Sequence, residues 1–162
     1  MTAGAPNVPV ADRHFEDFLP GESTEFGPIA IDEADIVAFA RRYDPQPVHT
    51  DAKVAATGPF GGLIASGWHT ASLVMRLLVE HYLACGAALA SPGVDELRWL
   101  QPVRPGDVLR VRVTVLEARR SRSKPDRGLV RTRIEALNQD SAVVMSMIAM
   151  NLFLCRDPGT GS

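Results

Sequence analysis

The sequence predicts an α+β fold in which one antiparallel sheet is wrapped around a single long helix. Three observations predict it. The stretch WHTASLVMRLLVEHYLACG (68–86) is the longest helical signal in the chain, and it is apolar for its first two turns. A helix of that kind is enveloped by other structure rather than laid on a surface. Most strand-like segments follow it, and LRVRVTVLEA (109–118) and LVRTRIEAL (129–137) alternate apolar and polar residues in period two. One strand and shorter helices precede it, so the strands are segregated in sequence, as in α+β domains rather than alternating α/β ones.

In chain order, residues 1–12 are rich in Pro, Gly and Ala without periodicity and read as a flexible tail, as do 157–162, leaving 13–156 as one domain. ESTEFGPIAI (22–31) is a strand weakened in the middle by Gly27 and Pro28. Asp32 is a good N-cap for EADIVAFARRY, whose apolar face is Ile36, Val37, Phe39 and Ala40, and Pro45 stops that helix. A short helix is expected from Thr50 or Asp51 through Ala56. The Gly-rich GPFGGLIASG (58–67) then leads into the long helix. Val74, Leu77, Leu78 and His81 mark one of its stripes, Ala71, Met75 and Tyr82 help fill another, and Arg76 pairs with Glu80 in i,i+4 spacing. Trp68 and Met75 are expected in the core, His69 as a buried structural residue, His81 on a helix face, and Gly86 as the stop. Strands follow at 94–100, 108–118, 129–137 and 142–154, with PVRPGD, SRSKPDRG and NQDS as turn signals.

Composition bounds the function classes. At 162 residues, 46% hydrophobic and 22% charged, the chain is an ordinary globular protein of one domain. A formal net charge of -2 gives no global reason to expect nucleic acid or an anionic membrane as partner. No apolar stretch approaches the ~20 residues of a membrane span. MTAGAPNVPVAD lacks the positive start and apolar run of an export signal, so a cytoplasmic location is expected, with Cys85 and Cys155 as free thiols. No His, Cys or carboxylate set has metal-ligand spacing.

The chemistry is concentrated in YDPQPVHTD (43–51). Asp44 and His49 stand five positions apart on a backbone stiffened by Pro45 and Pro47, each of which also restricts the residue before it. Such a stretch holds an acid and an imidazole in a set relation. Singly, Asp44 reads as well as a cap and His49 as a satisfied loop histidine. Together with the proline frame and the Gly-rich approach to the helix, they read as a catalytic pair.

Asp44-Pro45-Gln46-Pro47-Val48-His49, followed by Gly61-Gly62-Leu63-Ile64-Ala65-Ser66-Gly67, resembles the motif of the MaoC-like (R)-specific enoyl-CoA hydratases, Asp-x-Asn-Pro-x-His before a Gly-rich approach to the central helix. The resemblance covers nearly the whole chain in element order and implies the hotdog fold. It also implies a reversible hydratase/dehydratase acting on a trans-2-enoyl-CoA thioester, with no cofactor beyond the coenzyme A of the substrate. Gln46 stands where the family has asparagine, and Met75 where a serine two turns into the helix helps hold the thioester.

Hydration needs water activated at the β carbon, a proton for the α carbon and donors for the enolate oxygen. Asp44 and His49 are assigned the water and protons. Burial beside Phe60 and Leu63 is expected to raise the basicity of Asp44 above that of an ordinary carboxylate, pKa about 3.9. Gly67, at the expected helix N-terminus, supplies the amide for the oxygen. Gln46, Phe60, Gly62, Leu63, Ser66 and Trp68 are candidate substrate contacts. The basic run RRSRSKPDR (119–127) is either a solvated hairpin tip or, through Arg122, Lys124 and Arg127, a contact for coenzyme A phosphates. Nucleic acid is the poorest reading, because no aromatic residue interleaves the charges.

Two rivals stand beside the hydratase. One is a thioesterase of the same fold, whose acid usually sits on the central helix, where this chain offers only Glu80 near the far end. The other is a non-catalytic acyl-thioester-binding domain. In either case a homodimer or an assembly of dimers is expected, because a sheet around one helix leaves an edge strand and a helix flank to be covered, and hotdog sheets commonly join edge to edge.

Overall fold

The computed structural model describes residues 8–83 and 86–159. Most of the expected tail at 1–12, the end of that at 157–162, and Cys85 lie outside the described residues; from Val8 onward the chain is described, with a single 3-10 turn at Val10–Asp12.

The chain runs β1 (Ser23–Ala30), α1 (Glu33–Tyr43), α2 (Pro47–Thr50), α3 (Ala52–Thr57), α4 (Gly67–His81), β2 (Ala88–Trp99), β3 (Val108–Arg120), β4 (Arg127–Leu137) and β5 (Val143–Leu154). The five strands form one antiparallel sheet in the order β1-β3-β4-β5-β2, with β1 and β2 at its edges. Gly27 and Pro28 interrupt β1 as expected, and the register against β3 slips between Phe26 and Ile29.

Alternation decides which way each strand faces. Leu109, Val111, Val113 and Val115 of β3 and Val130, Ile134 and Ala136 of β4 turn inward onto Val74, Leu77 and Leu78 of α4. Phe18 stacks on Phe153 with centroids 4.2 Å apart and closes one end of this core. Asp32 caps α1 by accepting from Ala34 N at 2.8 Å and Asp35 N at 3.2 Å.

Several expectations are corrected. The strand expected at 94–100 begins six residues earlier, at Ala88, because Ala88 and Ala90 already pair with β5 despite irregular register. The long helix stops at His81 rather than at Gly86; Tyr82 leaves helical geometry and is buried against Phe18. Trp68 and Met75 are not core: they are 58% and 46% exposed, as is Val79 at 48%, so α4 is enveloped on one side only. Its bare flank and the edge strand β2, with Leu89, Val94 and Trp99 exposed, leave a large apolar surface on the single chain. Among the described residues no helix is long and apolar enough to cross a membrane.

His69 is buried as expected, stacked on Phe39 at 4.8 Å, and its Nδ1 bonds to no described residue. Burial pushes its pKa down, against a weaker upward pull from Asp35. The unfolded chain therefore binds a proton that the folded chain resists. Stability is full above the ordinary histidine pKa of about 6.5 and declines as pH falls from there toward the lower folded value. Thermal melts from about pH 7.5 down to about pH 5 should show the midpoint falling, and His69→Leu should flatten the fall. An equal slope in both proteins would remove His69 as its source.

Candidate active site

Pro45 cannot continue α1, and its ring pushes Asp44 out of the helical region, so the helix ends with Asp44 as its cap, φ -151°, ψ 68°. Pro47 then occupies the first position of α2, where a missing N–H costs nothing. His49 is thus carried on a short helical turn rather than on a loop, and the helix expected from Thr50 is a separate one, α3, capped by Asp51. The Gly-rich stretch is pinned on both sides: Ile64 N donates to Val48 O at 3.3 Å and Ala65 N to Val103 O at 2.8 Å. Arg104, which sequence reasoning missed inside a turn signal, donates from Nη2 to Phe60 O at 2.6 Å and holds the loop down.

These elements converge on one constellation. His49 is 7% exposed, and its ring Nδ1 lies 2.8 Å from Ile64 O. A carbonyl only accepts, so Nδ1 carries the proton and Nε2 of the neutral ring is a bare acceptor. Nε2 sits 3.4 Å from Asp44 Oδ2. Asp44 in turn accepts from Gln46 Nε2 on Oδ1 and from Ser66 Oγ on Oδ2, both at 2.7 Å. Those two bonds, Gln46 first, hold its carboxyl below the usual carboxylate range against the opposing cost of burial. This corrects the expected rise in basicity: hydrogen-bond donors outweigh desolvation, and Asp44 stays ionised.

Ser66 is wholly buried, bonded to Asp44 and accepting from Trp68 N at 3.3 Å as the cap of α4, so its hydroxyl is engaged within the protein and supports the acid. Gln46 also faces Asp44. Leu63 belongs to the core, and Gly62 lies beside the Arg104 guanidinium. Trp68 packs edge-on against Trp99 at 5.1 Å. His49, Phe60 and Gly67 line a cavity of about 310 Å³ with Ile64, Thr70, Trp99, Leu100, Val103 and Val144. Gly67 is the first residue of α4, where the N–H groups have no carbonyl four residues back to bond. Sequence reasoning missed Trp99, Leu100 and Val144, because adjacency of the β2 exit and the start of β5 is created only by the sheet; Leu100 N donates to Val144 O at 2.8 Å. Thr70 did carry a signal, a polar residue on the buried face of an apolar helix.

The basic hairpin is not brought to this cavity within one chain. It joins the far ends of β3 and β4, where Arg120 pairs with Gly128, whereas the cavity lies at the end where Trp99 pairs with Met145. On β4 those ends are marked by Gly128 and by Ala136, the partner of Met145, and eight steps at about 3.3 Å each separate them by roughly 26 Å along the strand. Arg127 is moreover held by Asp126 at 2.8 Å.

Residues 17–137 match the MaoC like domain family. The chain is 37% identical over 105 residues to the 3-hydroxybutyryl-CoA dehydratase of Methylorubrum extorquens, covering 64% of each protein. It superposes on the crystal structure of the MaoC-like dehydratase from Rhodospirillum rubrum with a TM-score of 0.83 and 40% identity, over 90% of this chain and 99% of that one. The R-hydratase PhaJ1 from Pseudomonas aeruginosa superposes with a TM-score of 0.68 and 27% identity, over 92% and 96%. The fold is the hotdog fold that the sequence led us to expect.

A Cβ at Gly67 would lie 2.4 Å from the Trp99 indole, so the ring covers the start of α4 at a distance only glycine permits. Gly67→Ala must displace that ring, and overpacking of this kind costs about 1–3 kcal/mol. The thermal midpoint should fall accordingly. Adding Trp99→Ala should recover part of the loss; no recovery in the double variant would mean that the contact is not what glycine serves.

Proposed function

The chain belongs to the MaoC-like dehydratase family, and from that membership and its site geometry we propose that it is an enoyl-CoA hydratase/dehydratase, adding water reversibly to a trans-2-enoyl-CoA thioester to give a 3-hydroxyacyl-CoA. The observation that carries the reading is the pair of acceptors, Asp44 Oδ2 and His49 Nε2, 3.4 Å apart beside the cavity. One water donating to both would be oriented and polarised by two groups whose remaining valences are already occupied by Gln46, Ser66 and Ile64.

The lowered pKa of Asp44 divides the labour. A carboxylate held ionised is a poor proton acceptor, so the proton of the attacking water passes to His49 Nε2 while the water oxygen bonds to the β carbon. Asp44 orients that water and stabilises the imidazolium formed beside it. The electron pair of the double bond moves toward the thioester oxygen, which the Gly67 N–H receives at the positive end of α4. The imidazolium then returns its proton to the α carbon, and the sum is one water added. The thioesterase alternative lacks support here: Glu80 is the sole acid of α4, lies at its far end and is paired with Arg76 at 2.9 Å.

The working unit we propose is a homodimer joined along β2, the edge strand beside the bare flank of α4. If two β2 strands pair antiparallel about a two-fold axis, each copy's hairpin end adjoins the other copy's cavity end. The coenzyme A phosphate contact expected of Arg122 and Lys124 would then be made across the dimer, where guanidinium and ammonium groups suit phosphate.

Asp44→Asn and His49→Gln should each lower kcat by roughly a hundredfold to ten-thousandfold. The double variant should be little worse than the poorer single one, because the two act as a unit. Enoyl absorbance and free thiol should be followed together: thiol release without hydration would mean a thioesterase, and hydration surviving the double change would remove the pair from the mechanism. Light scattering should give a dimer or a multiple of dimers at micromolar concentration, and a clean monomer would exclude the assembly. In the assembled enzyme, neutralising Arg122 and Lys124 should raise KM and leave kcat unchanged; an unaltered KM would return the hairpin to a solvated tip.

A further inference from the structure

Among the hydroxyls that α4 and its cap present, Thr70 stands apart. Ser66 Oγ is committed to Asp44, and Ser72 Oγ donates to Trp68 O at 2.7 Å on the solvent side. Thr70 is 2% exposed and lines the cavity, yet its hydroxyl makes no hydrogen bond to any described residue. A threonine inside a helix usually turns its hydroxyl back onto the carbonyl four residues earlier. Here the carbonyl of Ser66 receives the backbone N–H of Thr70 at 3.1 Å and not the hydroxyl. A hydroxyl at a cavity wall that the protein leaves unbonded is open to a partner that arrives with the ligand.

Position points to the partner. Three residues beyond Gly67, Thr70 lies on the same side of α4, one turn along. Met75, five residues further at ~100° per residue, is rotated away by roughly 140°, faces the bare flank and lines none of this cavity. The thioether therefore cannot serve the thioester from its own position. We infer that Thr70 is a further substrate-binding residue of this site, donating its hydroxyl proton to the thioester oxygen alongside the Gly67 N–H. The inference rests on the hydratase reading for its reaction but on the cavity alone for its contact. It also gives the oxygen two donors of different kinds, one from the backbone and one from a side chain, in place of a donor from position 75.

The test uses Thr70→Val, which removes the hydroxyl and keeps the shape, and Thr70→Ser, which keeps the hydroxyl. With crotonyl-CoA as substrate, Thr70→Val should lower kcat/KM roughly tenfold to a hundredfold, the lower part of the range for losing one oxyanion donor, and Thr70→Ser should restore most of it. The thermal midpoint of Thr70→Val should hold or rise, because a methyl replaces an unbonded hydroxyl. Butyryl-CoA, which cannot be hydrated, separates this contact from the reaction: calorimetry should show it bound several-fold more weakly by Thr70→Val than by the natural protein. A Thr70→Val protein equal to the natural one in both turnover and butyryl-CoA affinity overturns the inference and leaves the hydratase reading standing. Thr70→Ser as poor as Thr70→Val also overturns it, assigning the effect to the methyl. Butyryl-CoA binding that depends on Thr70 without any hydration of crotonyl-CoA overturns the hydratase reading and leaves the contact; no binding of either thioester overturns both.

Discussion

The hydrogen bond from Ser66 Oγ to Asp44 Oδ2, 2.7 Å long, is the constraint on which the site depends. It joins the C-terminal cap of α1 to the N-terminal cap of α4, two places where a helix leaves backbone groups to be satisfied by something else. Through it the acid, the imidazole beside it and the first amide of the long helix are held in one frame. Gln46 supplies the second donor to the same carboxylate. Two donors on one carboxylate fix both its direction and its charge.

That frame explains why the acid cannot be read as an ordinary buried carboxylate. Apolar surroundings alone would favour the protonated form, and the neighbourhood of Phe60 and Leu63 in the sequence suggests such surroundings. The folded chain instead places a hydroxyl and an amide against the two oxygens. Hydrogen bonding to the charged form wins over desolvation. The imidazole is anchored differently, by a carbonyl of the Gly-rich stretch that fixes its tautomer. The carboxylate is thereby kept charged and the imidazole is turned so that Nε2 faces it, a difference in environment that suits the two residues to the different parts proposed for them.

The helix α4 has two faces with two uses. Its buried face carries Val74, Leu77 and Leu78 into the concave side of the sheet, and its first turn presents Gly67 and Thr70 to the cavity. Its other face, with Trp68, Met75 and Val79, continues toward the free edge of β2. Apolar surface of that kind beside an unpaired strand is seldom left in water. The cavity wall formed by Trp99 belongs to the same edge, so covering the edge and completing the wall are linked.

Local chemistry settled much of this in advance. Asp32, Pro45, Pro47 and Asp51 determine where helices start and stop, because caps and prolines act within a few residues of themselves. Period-two alternation determined which side of β3 and β4 faces the core, and the Asp44–His49 spacing on a proline frame marked the pair that we propose to react. Tertiary structure decided what local chemistry cannot reach. It added to the local Gln46 a second donor for the Asp44 carboxylate, a serine 22 residues away, and so tied that acid to the start of α4. It exposed Trp68 and Met75, since a five-stranded sheet can envelop only one side of a helix. It sent the arginine hairpin to the far end of the sheet from the cavity, and it brought Trp99 and Val144 onto Gly67 and Thr70. Apolarity along a chain states that a residue is suited to burial; only the packed sheet states which side of the helix is covered by the same chain and which stays exposed on it.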